Sequence, residues 1–321
     1  MAQQQSLFGE LEQDPSFDRE ELKRRLSRLS GQNIFIGGSS WKYEGWLGQI
    51  YMRSRYLSKG TFSKKTFEAT CLSEYASVFP TVCGDFAFYQ FPSEEFWRRL
   101  FHQTPDGFRF AFKVPEQITC AVFPAHARYG AQGGRGNPTF LDAPLMQDAF
   151  LKALEPYRHK TALLIFEFGT FSQKTFPEAA EFLERLDSFL RSLPPEFRYA
   201  VEIRNHEFLI PEYFDCLRAN GVAHVYNAWT RMPELPEQLA LRGSKTADFL
   251  VCRALLRQGR AYGNAVKMFS PYKEVQEVND RTRQGMRDLI RMAREERRTM
   301  FLFVNNRLEG NAPGTIISIT D

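Results

Sequence analysis

Glu202 and Arg204 stand two residues apart near the end of Arg-Tyr-Ala-Val-Glu-Ile-Arg, residues 198–204, which reads as a strand. Strand side chains alternate between two faces. Tyr199, Val201 and Ile203 make one face apolar, and Ala200, Glu202 and Arg204 make the other. Charges at the end of an apolar strand cost several kcal/mol in desolvation unless they are paired. The two groups are therefore expected either to pair with neighbours or to face a wet pocket. Carboxylates set beside cations have their pKa values pushed apart, which is what acid–base chemistry uses.

The same pattern recurs along the chain. Strands are predicted over residues 33–38, 81–89, 108–113, 162–168, 222–227, 247–253 and 300–306. Helices are predicted over 63–79, from the Ser93 cap, and over 145–157, 177–193, 211–220 and 273–297. Asp85, Lys113, Glu167, Asn227, Arg253, Asn305 and Asn306 each fall at or near the C-terminal end of a strand. On the second strand Cys83, Asp85, Ala87 and Tyr89 share a face. On the third, Phe108, Phe110 and Phe112 face outward and Arg109, Ala111 and Lys113 inward. Eight strands alternating with helices predict a closed parallel (β/α)8 TIM barrel, whose active sites lie at the strand C-terminal ends. The polar residues named above then form one cluster, either catalytic or a buried network that closes the barrel top.

The loops leaving those ends are unusual. Gly37-Gly38 opens a stretch holding Trp41, Tyr43 and Trp46, rings that either cap the barrel or stack on a ligand. This is no P-loop, because the Gly-Lys-Ser/Thr ending is missing. Residues 114–144 are rich in Gly and Pro and carry His126, Arg128 and Arg135, and their length suits a lid. Residues 255–272 read as a loop with Arg257, Arg260, Tyr262, Lys267 and Tyr272. Basic groups interleaved with Trp41, Tyr43, Tyr129, Tyr262 and Tyr272 suit a nucleotide or single-stranded nucleic acid. Solvated loop charge is the alternative.

Composition narrows the classes. The 321 residues are 43% hydrophobic and 25% charged, with a net charge of +4. They accommodate one large domain over 33–321, preceded by a loose polar arm over 1–32 with a short helix at 19–29. The five cysteines show no Cys-x-x-Cys and fit reduced thiols in a cytoplasm. No apolar run approaches a membrane span, and the glutamine-rich start is no secretory signal. No histidine pair has metal-ligand spacing, although Asp85, Glu167 and Glu202 could hold a Mg²⁺. Cys83 reads as a small core residue, unless Lys113 lies beside it and lowers its pKa. Glu167 and Glu202, on adjacent strands, are poorly placed to flank a glycosidic bond.

The chain resembles the YecE-like family, domain of unknown function number seventy-two, over roughly Ile34 to Ile317. The resemblance rests on Gly37 to Trp46, on Thr104-Pro105-Asp106-Gly107-Phe108-Arg109-Phe110 with Lys113, on Val201-Glu202-Ile203-Arg204, on Thr246-Ala247-Asp248-Phe249 with Arg253, and on Val304-Asn305-Asn306. It implies a TIM barrel and no settled activity. Cys83 and Asp85 replace the family's usual Glu and Asn, Leu255 its usual His and Glu167 its usual Gln.

Two functions follow as expectations. The first is an enzyme doing acid–base chemistry on a phosphate-bearing small molecule or nucleotide. Its catalytic set is Glu202 as base with Arg204, Lys113, Glu167 and Asp85, and Trp41, Tyr43, Tyr89, Asn227, Arg253, Asn305 and Asn306 bind substrate. The second is a non-catalytic nucleic-acid-binding module that uses the basic, aromatic loops.

Overall fold

The computed structural model describes residue 14 and residues 17–320. Eight parallel strands close a barrel: β1 (Ile34–Gly38), β2 (Thr81–Gly84), β3 (Arg109–Lys113), β4 (Thr161–Glu167), β5 (Tyr199–Glu202), β6 (Ala223–Ala228), β7 (Phe249–Ala254) and β8 (Thr299–Val304). β8 closes on β1 with Ile34 opposite Met300 through Gly38 opposite Val304. Helices cross between successive strands, among them Lys64–Tyr75, Glu94–His102, Ala179–Arg191, Pro211–Ala219, Leu235–Ala240 and Asp280–Glu295, and Ala312–Ile319 follows β8. This is the expected (β/α)8 barrel.

Strand alternation sorts the core into two parts. Cys83, Ala111, Leu163, Ile165, Ala200, Val225, Val251, Phe301 and Phe303 form one buried cluster within the barrel. Phe110, Phe112, Phe166, Val201, Leu250 and Leu302 belong to a second, between strands and helices. The inward and outward faces expected for β3 and β5 are those observed. Local signals set the helix starts: Ser63, Ser93 and Asn279 side chains each accept from a backbone N–H in the first turn that follows. Gly37 is required by closure, because a Cβ there would lie 2.0 Å from the Thr81 carbonyl oxygen.

Four expectations change. β2 ends at Gly84, and Phe86–Phe88 forms a 3-10 turn instead of further strand. The Phe86 ring folds back over Gly84, where a Cβ would sit 2.5 Å from it. Ala87 is thereby buried and Tyr89 exposed, so the face shared by Cys83, Asp85, Ala87 and Tyr89 does not exist as a strand face. The helix expected over 273–297 begins at Asp280, because the preceding segment is tied to the loop after β8: Gln276 N–H donates to the Glu309 carbonyl at 2.8 Å and Asn279 N–H to Glu309 Oε1 at 2.7 Å. Residues 255–272 contain the helix Tyr262–Phe269. The helix of the N-terminal arm, Arg19–Ser30, is not loose, since Leu22, Leu26 and Leu29 are buried in the core. Residues 1–13, 15 and 16 of the arm lie outside the described residues.

Residues 114–144 leave β3 as a short helix, Glu116–Thr119, and then an excursion closed at its neck. Phe123 N–H donates to the Arg135 carbonyl at 3.0 Å, and Gly134 N–H to that of Phe123 at 2.8 Å. Asn137 Nδ2 ties the base to the Gln117 and Cys120 carbonyls at 2.8 and 2.7 Å.

Candidate functional site

The register places Glu167 of β4 directly beside Glu202 of β5. Adjacent carboxylates repel, so this arrangement holds only with cations between them. Arg253, from β7, supplies the first: its Nη1 donates to Glu167 Oε2 at 2.5 Å and also to Glu202 Oε2. Arg204 supplies the second, with Nε and Nη2 donating to Glu202 Oε1 at 3.1 and 2.9 Å and Nη2 2.9 Å from Glu167 Oε2. Lys113 Nζ lies 3.0 Å from Glu167 Oε2 and 3.7 Å from Asp85 Oδ1. Arg253 Nη2 is 3.5 Å from that same Asp85 oxygen. Three carboxylates and three cations thus alternate in one connected network.

Depth within the network differs. The Glu202 side chain is 0% exposed and that of Asp85 37%. Burial alone would raise the Glu167 carboxyl, but Arg204, Lys113 and Arg253 outweigh it and hold it well below the usual carboxylate range. Burial likewise opposes charge on Arg253, yet the carboxylates of Glu202, Glu167 and Asp85 keep it firmly protonated. Cys83 lies under this network, and burial pushes its thiol up to about 12 against the pull of Arg253 and Lys113. The expectation of a core cysteine is met there, and a thiolate nucleophile has no support.

Above the network the barrel mouth opens into a cavity of about 670 Å³. Asp85, Lys113, Glu167, Arg204, Arg253 and Tyr89 line it, so it gathers six of the twelve residues expected to act on or bind substrate. Glu202 sits beneath it. Aromatic faces seat the cations: Lys113 Nζ lies 3.7 Å from the Phe88 ring centre, and the Arg204 guanidinium 3.8 Å from that of Trp229. Glu116, Cys120, Val122 and Arg128 come from residues 114–144, which therefore wall the mouth. Leu255 lines it too, at the position where the family resemblance implies a histidine.

Five expected site residues lie elsewhere. Trp41 is 6% exposed, packs edge-on against Phe86 and lines a separate cavity of about 400 Å³ that shares Asp85 with the mouth. Tyr43 packs against Trp46 and Tyr272, and burial pushes its hydroxyl up to about 12. Asn227 Nδ2 donates to the Ile203 carbonyl at 3.2 Å. Asn305 donates to Ser39 Oγ at 2.5 Å and accepts from Arg307 N–H at 2.9 Å. Asn306 Oδ1 accepts from Trp46 Nε1 at 3.2 Å and Ala312 N–H at 2.7 Å. The last three help to shape the strand ends, although the buried Asn227 Oδ1 and Asn306 Nδ2 have no hydrogen-bond partner among the described residues. Of the basic loop residues, Arg257 and Arg260 are both paired to Glu277. Arg135 and Lys267 are exposed and line no part of the mouth.

Sequence reasoning missed Arg307 and Trp229. Arg307 lines the cavity with its guanidinium 4.5 Å from the Tyr262 ring centre. Among the described residues it has no ion pair with a carboxylate, and its buried Nε has no hydrogen-bond partner. Its place immediately after Asn305-Asn306 was the available signal. A Mg²⁺ held by Asp85, Glu167 and Glu202 is not what these oxygens are arranged for, since each carboxylate is turned to Lys113, Arg204 or Arg253. Among the described residues no group of three His, Cys, Asp or Glu could hold a metal ion, and no helix is long and apolar enough to cross a membrane.

Fold and site together define a (β/α)8-barrel protein with a charged, aromatic-rimmed cavity at its strand C-terminal ends. The chain belongs to the family described as "Protein of unknown function DUF72", which it matches over residues 35–321. It is 26% identical over 176 residues to the UPF0759 protein YecE of Escherichia coli K12, covering 54% of this chain and 50% of that protein, so the chain spans about half the length of the curated relatives it matches. Among solved structures it is similar to a DUF72 family protein of Thermotoga maritima, with a TM-score of 0.58 at 20% identity over 89% of this chain and 97% of that one. A DUF72 family protein of Enterococcus faecalis gives a TM-score of 0.55 at 18% identity over 89% and 94%. At these identities the likeness speaks to the fold alone.

Proposed function

We propose that the mouth cavity is an enzyme's substrate site that holds an anionic, phosphate-bearing small molecule and does acid–base chemistry on it. The observation that carries this reading is Arg307, a guanidinium in the cavity wall with no carboxylate partner among the described residues. Lys113, Arg128, Arg204, Arg253 and Arg307 line the cavity against Asp85, Glu116 and Glu167. Even with Glu202 beneath, positive charge is in excess. A guanidinium fork binds phosphate or carboxylate through paired N–H donors. Arg128 stands 3.8 Å from Glu116, which leaves it able to join Arg307 on the anion.

Of the paired glutamates on β4 and β5, Glu167 is the one that reaches the cavity. Its cations keep it ionised and a weak base in the free protein. An arriving anion adds negative charge nearby and competes for Arg204 and Lys113. Both effects raise the carboxyl's proton affinity as substrate binds. Glu202 was the expected base, but its full burial and its two arginine partners favour a positioning role, aiming Arg204 and Arg253.

Calorimetric titration with phosphate, pyrophosphate, sugar phosphates and dicarboxylates tests the reading. The expected result is saturable binding that survives added salt and is lost in Arg307→Ala, with a melting temperature close to wild type. Absence of binding by all of these probes, or an Arg307→Ala variant that binds as wild type, refutes it. Binding of oligonucleotides irrespective of sequence, with steep loss in salt, would instead support the nucleic-acid module.

A further inference from the structure

We infer that the molecule taken up at the mouth is a nucleotide, its base stacked on a rim tyrosine and its phosphate held by Arg307 with Arg128. This rests on the cavity reading above and names the substrate class of that site.

Exposed apolar surface gathers at this rim. Large apolar side chains are exposed at Leu57, Tyr89, Val122, Tyr262, Met268 and Val278 among the described residues, and Tyr89, Val122 and Tyr262 line the mouth. An exposed apolar group beside a cavity forgoes burial in the free protein and recovers it when a ligand covers it. Tyr89 is 54% exposed and Tyr262 52%. Each carries an arginine on its ring: Arg128 lies 4.3 Å from the Tyr89 centre, and Arg307 4.5 Å from that of Tyr262. The guanidinium takes one ring face and about half of each tyrosine stays open. The pairs come from different parts of the fold, Tyr89 after β2 with Arg128 beyond β3, and Tyr262 after β7 with Arg307 after β8. The same juxtaposition of flat ring and cation therefore arises twice at one cavity.

A flat ring beside a phosphate-binding guanidinium matches a ligand with both a π-face and an anion. Nucleobases stack on tyrosine whatever their edge pattern, and the phosphate completes the arginine. Size agrees, since about 670 Å³ suits a drug-sized ligand and leaves a bare phosphate mostly unenclosed. Trp229, against Arg204 in the cavity wall, supplies a fluorescence reporter.

The test compares AMP, GMP, CMP and UMP with ribose 5-phosphate, glucose 6-phosphate and the parent nucleosides, on wild type, Tyr89→Ala, Tyr262→Ala and Arg307→Ala. Nucleotides are expected to bind roughly five- to a hundred-fold more tightly than ribose 5-phosphate. In Tyr89→Ala, Tyr262→Ala or both, that advantage falls away while ribose 5-phosphate binding stays within about two-fold, showing that Arg307 remains in place. Arg307→Ala weakens nucleotides and ribose 5-phosphate alike. Equal affinity for nucleotides and sugar phosphates, or nucleotide binding untouched by both tyrosine changes, overturns this inference and leaves the anion site standing. Failure of every phosphate to bind removes the anion site itself. A ten-nucleotide single strand that binds far above its mononucleotides, with steep salt dependence, also overturns it, in favour of a nucleic-acid surface.

Discussion

Glu202→Gln separates a positioning carboxylate from a catalytic one. Glu202 is fully buried, with Oε1 accepting from Arg204 Nε and Nη2 and Oε2 from Arg253. The amide oxygen of glutamine can keep one of these sets. Its NH₂ group must then face the other guanidinium, donor against donor. The network loses one negative charge, leaving Asp85 and Glu167 opposite Lys113, Arg204 and Arg253. Breaking a buried ion pair from one side costs roughly 3–5 kcal/mol. At about 2 °C per kcal/mol for a chain this large, the melting temperature should fall by roughly 6–10 °C. Phosphate binding should weaken as well, because Arg204 and Arg253 lose their aim. The assay is a melting curve and a ligand titration on wild type and variant. A catalytic base held under electrostatic strain behaves in the opposite way, and its removal leaves the fold intact or stabilises it. A melting temperature within a degree or two of wild type would refute the positioning argument and return Glu202 to the role of base.

Arg204→Lys should lower stability by about 1–3 kcal/mol in denaturant unfolding, since an ammonium keeps the charge but loses the paired bonds to Glu202 and the stack on Trp229. His224 is buried, and burial pushes its imidazole down to about 3 from 6.5. Because the folded value is depressed, its stabilising contribution is full above about pH 6.5 and is lost as pH falls toward 3, by at most about 1.4 kcal/mol per pH unit. Unfolding titrations between pH 7 and 4.5 should show this slope, and His224→Phe should flatten it below pH 6.5; an unchanged slope in the variant defeats the assignment. The Glu167 carboxyl, also held low, adds to the loss once pH falls through its ordinary value of 4.5. In hydrogen exchange, amides of residues 124–133 should exchange faster than those of β3 and β4, while Phe123 and Gly134, bonded across the neck, should be slower than the tip. Strand-like protection throughout the excursion rules out a mobile lid.

The sequence alone was enough for the barrel and for the clustering of charged residues at its strand C-terminal ends. Alternation along a strand is a property of covalent geometry, so Ala200, Glu202 and Arg204 could be assigned to one face and Tyr199, Val201 and Ile203 to the other without any tertiary contact. Helix starts at Ser63 and Ser93 were legible for the same reason, being hydrogen bonds within one turn. Where distant segments meet, the sequence was silent. Closure of β2 by the Phe86 ring, the late start at Asp280 and the burial of Leu22, Leu26 and Leu29 all depend on packing between separate elements. Ion pairing depends on it most, because which cation meets which carboxylate is fixed only when the barrel closes and its register is set. Closure spent Arg257 and Arg260 on Glu277, sank Glu202 between two arginines and left Arg307 facing the cavity with no carboxylate partner among the described residues. Residue types along the chain told where charge would gather, and tertiary structure alone decided which charges are neutralised and which stay available to a ligand.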